Sequence, residues 1–195
     1  MVTTANGTYV TPEMFAIDWV QAVHGAPFRG NGKRLSDWFG FGEPIYAVAN
    51  GVVVETINNR PETPPFTDPA AVQKPKDYVG NEVVERIGPG LYAVYDHFQT
   101  HSVMVRRGQH LRTGQPIGKV GSTGNSTSPH LHFGIQAGPD ALTANSVPFE
   151  INHYTVRGVS PASTLDHIIL TGPPSRERRS YPLCPSAEAF TIPAG

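Results

Sequence analysis

Two histidines one residue apart, His130-Leu131-His132, lie near the end of the most distinctive stretch of this chain, GQPIGKVGSTGNSTSPHLHFGIQ at residues 114–136. On an extended strand, residues two apart share a face. The two imidazoles therefore stand side by side, about 7 Å apart at Cα, while Leu131, Phe133 and Ile135 turn towards a core. Neutral imidazole is the commonest metal ligand and can carry a proton near neutral pH. A bare His-x-His is more often a surface pair. Here the segment before it, residues 121–129, is all Gly, Ser, Thr, Asn and Pro, a tight polar loop, and further candidate partners lie upstream. Both features favour a metal or acid–base site.

Those partners sit on short apolar runs. Asp18 interrupts Phe15-Ala16-Ile17-Asp18-Trp19-Val20, and a carboxylate inside such a run is costly unless it is paired or ligates a metal. His97 ends Leu91-Tyr92-Ala93-Val94-Tyr95-Asp96-His97, the second arm of a hairpin whose first arm is Asn81-Glu82-Val83-Val84-Glu85-Arg86-Ile87 and whose turn is Gly88-Pro89-Gly90. An earlier hairpin is expected about Asn50-Gly51, between Ile45-Tyr46-Ala47-Val48-Ala49 and Val52-Val53-Val54-Glu55. Pro116-Ile117-Gly118-Lys119-Val120 reads as one more strand. No segment has convincing helical periodicity, so short strands with turn signals predict an all-β sandwich or barrel. Residues 58–77 carry prolines without periodicity and read as an exposed insertion that lines a cleft or is merely tolerated. Beyond residue 136 the pattern weakens; residues 143–170 allow a strand or two, with Ile168-Ile169-Leu170 the most apolar piece. From residue 172 onward an irregular tail is expected, with Arg176-Glu177-Arg178-Arg179 a solvated patch.

Composition narrows the chemistry. The net charge of −1 leaves no electrostatic footprint for nucleic acid or an anionic membrane. Eight histidines against one cysteine disfavour a thiolate zinc site and exclude an intrachain disulfide. Cys184, in a Pro-rich context, reads as a packed or unpaired residue. No apolar run approaches membrane-spanning length, and the first residues, MVTTANGTYVTPEMF, lack a basic segment followed by an apolar one, so no signal peptide is expected in the chain as written.

Asp18, His97 and His130-Leu131-His132 stand in order with the phrases GEPIYAVANGVV (42–53), GNEVV (80–84), YDHF (95–98) and GQHLRTGQPIGKVGSTGNS (108–126). Together they resemble the lysostaphin-type (LytM-type) zinc metallopeptidases, which cut peptide bonds in bacterial peptidoglycan. The resemblance covers roughly residues 14–136. It implies a mostly β fold, a small antiparallel sheet or sandwich of the LytM (duplicated hybrid motif) type over residues 12–140 with the insertion at 58–77, then a Pro-rich extension over 141–195. It further implies zinc held by Asp18 and His132, catalytic roles for His130 and His97 beside the attacked carbonyl, peptidoglycan peptides as the partner, and a place in the cell envelope or outside the cell.

One departure bears on the metal. The family's first ligand is a histidine four residues before the aspartate, in His-x-Gly-x-Asp. Here the stretch is Met14-Phe15-Ala16-Ile17-Asp18, with Met14 at the ligand position and Ala16 at the glycine. Thioether suits softer ions than zinc, and two protein ligands are fewer than the three usual for catalytic zinc, so zinc is expected to bind weakly or not at all. His24 lies six residues past Asp18, about 20 Å along an extended strand, and reaches the metal only if the chain folds back near Gly25-Ala26-Pro27. His101, His110, His153 and His167 match no ligand position, though His101 is close enough to His97 to sit at a rim. Two outcomes stay open: a peptidoglycan endopeptidase with an unidentified completing ligand, or a degenerate member that binds cell wall or regulates another hydrolase. GQHLRTGQPIGKV also resembles half-motifs of lipoyl and biotinyl domains, but those present a lysine at a hairpin tip and no lysine sits at such a turn here.

Overall fold

The computed structural model describes residues 3–5, 7–67, 75–151, 155–160 and 187–191. These residues are mostly β. In chain order the strands are β1 (Thr3–Ala5), β2 (Thr8–Val10), β3 (Ile17–Trp19), β4 (Pro44–Tyr46), β5 (Gly51–Ile57), β6 (Glu82–Gly88), β7 (Leu91–Asp96), β8 (His110–Leu111), β9 (Pro116–Lys119), β10 (Leu131–Gln136), β11 (Ser146–Val147), β12 (Thr155–Ser160) and β13 (Ala187–Thr191). Among the described residues, helix is confined to one 3-10 turn, Leu35–Asp37, and one short helix, α1 (Pro75–Tyr78).

An antiparallel sheet with the order β11-β10-β7-β6-β5-β8 forms the centre, and β3 shares the outer edge of β10 with β11. β6 and β7 make the hairpin that their apolar runs and Gly-Pro-Gly turn predict. One face of this sheet presents Val53, Val83, Ala93, Tyr95, Phe133 and Ile135, which pack with Ile45 and Ile117 from the separate β4–β9 ladder. Phe133 lies between the rings of Tyr95 and Phe149, at centroid distances of 5.2 and 5.3 Å. The opposite face carries a smaller apolar cluster, Val79, Val84, Val94 and Ala141. Beside that cluster, at the β3 end, the same face is polar.

The expected hairpin about Asn50-Gly51 does not form. β4 pairs with β9, while β5 pairs with β6 and β8. Distant partners satisfy the polar groups of the connecting residues. Ala47 N–H donates to Gln115 O (2.9 Å), Val48 N–H to the Tyr95 hydroxyl (2.9 Å), and Asn50 Oδ1 accepts from Thr113 N–H (2.9 Å). With those groups taken, the Asn-Gly pair carries the chain from one sheet to the other and closes no local ladder.

Residues 58–67 differ from a free insertion. Glu62 bridges to Thr123, and its carboxylate accepts from Thr100 N–H and Ser122 N–H, both at 2.7 Å. Asn81, fully buried, accepts from Arg60 N–H and donates to Arg60 O and Phe98 O. The segment is thereby a fixed wall against the loop of residues 121–129. At the C-terminal side, β12 and β13 pair with each other, so a strand stands at residues 187–191 where an irregular tail was expected. The apolar Ile168-Ile169-Leu170, the Arg176-Glu177-Arg178-Arg179 run, Cys184, His153 and His167 lie outside the described residues.

Candidate active site

β10 sits between β3 and β7, and the registers align one residue from each strand: His132 opposes Asp18 on one side and Asp96 on the other. Cross-strand partners point to the same face, so Asp18, His132 and Asp96 form a row. The β6–β7 register, Val83 with Tyr95 and Val84 with Val94, carries the row on to Glu82. His130 precedes β10 and His97 follows β7, which puts both at the end of the row.

The polar loop at 121–129 fixes these two histidines. Its backbone lies against residues 78–80: Asn125 N–H donates to Tyr78 O (2.8 Å), and a side chain on Gly124 (φ +74°) would overlap the backbone nitrogen of Gly80 (φ +70°). Only glycine tolerates both the positive φ and that approach. The loop then offers carbonyls to the rings, Thr123 O to His97 Nδ1 and Ser128 O to His130 Nδ1, each at 2.7 Å. A carbonyl oxygen can only accept, so in both rings Nδ1 carries the proton and Nε2 is left as the free base. His97 itself is left-handed at φ 64°, a conformation that costs a non-glycine residue about 1 kcal/mol or more. It is held by its N–H to Val79 O and by Gly121 N–H on its carbonyl.

The four sequence-predicted residues come together. Asp18 Oδ1 accepts from His132 Nδ1–H at 2.7 Å and lies 3.6 Å from His130 Nε2. The His97 ring centroid is 4.6 Å from that of His130 and 6.0 Å from that of His132. They line a cavity of about 210 Å³ together with Glu13, Tyr78, Asp96, Asn125 and Thr127. Electrostatics divides the site in two. Burial, reinforced by the charges of His130 and His132, holds His97 well below the usual histidine range. Burial also lowers His130, partly offset by the Asp18 carboxylate. For His132, burial disfavours the charge, but the Asp18 hydrogen bond and the Asp96 carboxylate prevail and raise it to about 9. Burial would raise Asp18, yet the His132 hydrogen bond and the neighbouring imidazoles bring it down to about 2. Burial raises both Asp96 and Glu82.

Sequence reasoning missed Asp96. It carries the same signal as Asp18, a carboxylate in an apolar run, and lines the cavity beside His132. Met14 is 59% exposed and is not among the cavity's lining residues. His24, in the turn between Val23 and Ala26, His101 and His110 are exposed and do not line it either.

The donor set fits zinc in kind. Asp18 and His132, a carboxylate and an imidazole, share a proton at 2.7 Å, and a cation could replace it once the two atoms part to about 3.3 Å. No three His, Cys, Asp or Glu side chains among the described residues are arranged to hold a metal ion.

The sequence matches the profile of Peptidase family M23 over residues 37–145, which contain His97, His130 and His132 but neither Met14 nor Asp18. It is similar to the peptidoglycan DD-endopeptidase ShyA of Vibrio cholerae, 35% identical over 92 residues that cover 47% of this chain and 17% of that protein. The DD-carboxypeptidase/endopeptidase Mpg of Neisseria meningitidis shows the same identity and coverage. The chain thus spans about 17% of the length of these curated relatives. Among solved structures, the catalytic domain of the prophage-encoded M23 protein EnpA from Enterococcus faecalis is 21% identical, with 67% of this chain and 88% of that chain covered at a TM-score of 0.42. The catalytic domain of lysostaphin from Staphylococcus simulans is 24% identical, with 64% and 86% covered at 0.39. With more than half of its residues inside the family profile, the chain belongs to peptidase family M23.

Proposed function

We propose that this chain is a zinc-dependent endopeptidase that hydrolyses peptide bonds in bacterial peptidoglycan, in the cell envelope or outside the cell. The observation that carries this reading is the meeting of the Asp18–His132 pair, at 2.7 Å, with two buried histidines whose Nε2 atoms are unprotonated. Family membership and the endopeptidase activities for which ShyA and Mpg are named support the substrate class. The described residues contain no helix long and apolar enough to cross a membrane.

Zinc held by Asp18 and His132 would supply Lewis acidity to the scissile carbonyl and lower the pKa of the attacking water. The chain's own groups handle the protons. His97, kept neutral by burial, takes a water proton at Nε2 as the water oxygen attacks the carbonyl carbon, and returns it to the departing amide nitrogen when the C–N bond breaks. His130 has the Asp18 carboxylate 3.6 Å from its Nε2. Its Nε2 is unprotonated at rest, and that charge favours uptake of a solvent proton there during the reaction, which the ring then donates as a hydrogen bond to the carbonyl oxygen as it becomes negative.

The test is release of soluble fragments from purified peptidoglycan. Release is expected to stop with a chelator, return with zinc, and fall in His97→Ala and His130→Ala. Release that survives chelation rejects the zinc reading. The lack of a ready three-ligand group among the described residues favours a second reading, a family member that binds cell wall or regulates another hydrolase. Retention on insoluble peptidoglycan without any release would select it.

A further inference from the structure

We propose that a second cavity on the same face of the sheet, with Glu82 in its lining, is a substrate subsite for an aliphatic side chain that ends in an ammonium group, as that of a diamino acid does. The inference rests on the peptidoglycan reading above and deepens it by naming the kind of residue selected beside the bond that is cut.

Position is the first argument. Ile57 opposes Glu82 across β5 and β6, so the row that runs from Asp18 through His132 and Asp96 to Glu82 continues into β5. Asp96 lines the histidine cavity, and Glu82 lines the second cavity, of about 440 Å³. Neighbouring strands are about 4.8 Å apart, which puts Glu82 roughly 10 Å from His132, the span of about three residues of extended peptide. A peptide bond held at the histidines therefore leaves a nearby residue within reach of this cavity.

The lining is the second argument. Val54, Ile57, Val79, Ala141 and Leu142 provide an apolar wall, while the carboxyls of Glu82, Glu55 and Asp140 outnumber the single guanidinium of Arg107. Glu82 is 7% exposed, and its Oε2 is buried without a hydrogen-bond partner. No Lys, Arg or His among the described residues forms an ion pair with it. A buried carboxyl without a donor is costly, and a ligand N–H removes that cost. Rotation of the terminal carboxyl exchanges its two oxygens, so the group can turn a free oxygen to the cavity. Burial, with the carboxylates of Asp96, Glu55 and Asp140, raises Glu82 to about 8. An ammonium seated against it offsets those charges and lets it ionise.

Other occupants fit less well. A metal ion does not answer the need, because no three His, Cys, Asp or Glu side chains among the described residues are arranged to hold one. A wholly apolar side chain would seal Glu82 in without a partner. A carboxylate would meet more negative groups than positive ones. An alkyl stem against the apolar wall with its ammonium on Glu82 satisfies both parts of the lining.

The experiment measures binding of soluble peptidoglycan peptides to the chelator-treated full chain by calorimetry, with the peptides' side-chain amines either free or acetylated. Wild type is expected to bind the free-amine peptide at least about 10-fold more tightly, the worth of one charge-assisted hydrogen bond. Glu82→Gln, which keeps the shape and removes the charge, is expected to abolish that preference while binding the acetylated peptide as wild type does. Asp140→Asn, at an exposed position, is expected to change the preference only about two-fold. Equal binding of both peptides by wild type would overturn the subsite, as would no binding of either. An equal loss for both peptides in Glu82→Gln would mean that Glu82 only supports the fold, and would overturn it too. The endopeptidase reading is judged separately, by release of fragments from peptidoglycan: release without amine preference leaves that reading and removes the subsite, and amine preference without release does the reverse.

Discussion

β10 has two faces that obey different rules. Leu131, Phe133 and Ile135 pack into an apolar core whose members are all but excluded from water. On the other face, His132 stands in a row with the exposed Asp18 and with Asp96 and Glu82, ionisable groups for which burial is a cost. The first face needs only volume and pattern. The second needs particular chemical groups, and it is stable only because the first face supplies the folding energy. Substitutions on the two faces should therefore separate cleanly, those on the row changing chemistry with little loss of stability and those on the core doing the reverse.

The largest effect is expected at the end of the polar row. His97→Ala removes the base that the Thr123 carbonyl orients, and peptidoglycan hydrolysis should fall roughly 10²–10⁴-fold with an unchanged circular dichroism spectrum. A variant that loses activity only because it unfolds would erase the distinction between the faces. Next comes the core. Phe133→Ala, one residue from His132, removes a ring packed between Tyr95 and Phe149. It should lower the unfolding free energy by about 3–5 kcal/mol, read from denaturant midpoints, and any surviving folded fraction should keep its specific activity.

How far each face was legible follows from the same contrast. The core face was readable because alternation is local: the apolar runs of β6, β7 and β10 and the turn between β6 and β7 are written in consecutive residues. The Asn50-Gly51 turn was misread because its outcome depends on Thr113, Gln115 and Tyr95, which no local pattern reports. The role of Glu62 was hidden for the same reason, since its partners are Thr100 and Ser122. The row itself was half legible. His130 and His132 announce themselves by spacing, and Asp18 by its cost inside an apolar run. Asp96 carries the same cost, but only the register with His132 shows what it faces.

A smaller effect is expected where the loop joins the two faces. The Thr123 hydroxyl donates to Phe98 O (2.9 Å) and accepts from Asn81 N–H (2.8 Å), all of it buried. Thr123→Val keeps the shape, leaves the Asn81 N–H unpaired and leaves Phe98 O with only the Asn81 side-chain amide as donor. A loss of about 2 kcal/mol is expected, along with reduced activity, because the same residue's carbonyl holds His97. Unchanged stability would mean that the loop relaxes and that His97 is held by other means.

The smallest effect probes an exception on the apolar face. Glu85 is fully buried and opposes Ala93 and Val53, both members of the core. Its Oε2 accepts from the Tyr95 hydroxyl at 2.9 Å and its Oε1 has no partner. Burial raises its carboxyl above the usual range, with only partial relief from the Tyr95 hydrogen bond. A carboxyl with a raised folded pKa binds its proton more tightly in the native state than in the unfolded one. Native stability is then greatest below the ordinary carboxyl value and declines as pH rises through the folded pKa. Glu85→Gln keeps an acceptor for the Tyr95 hydroxyl and removes the ionisation. It should match wild type near pH 4 and exceed it by about 1 kcal/mol near pH 8, measured as the difference in urea midpoints. The pH dependence is what decides, because a mere packing change would shift both pH values equally. If the glutamine variant is instead less stable at pH 8, the core face depends on a charge, and the division between the faces of β10 is not the rule by which the sheet was built.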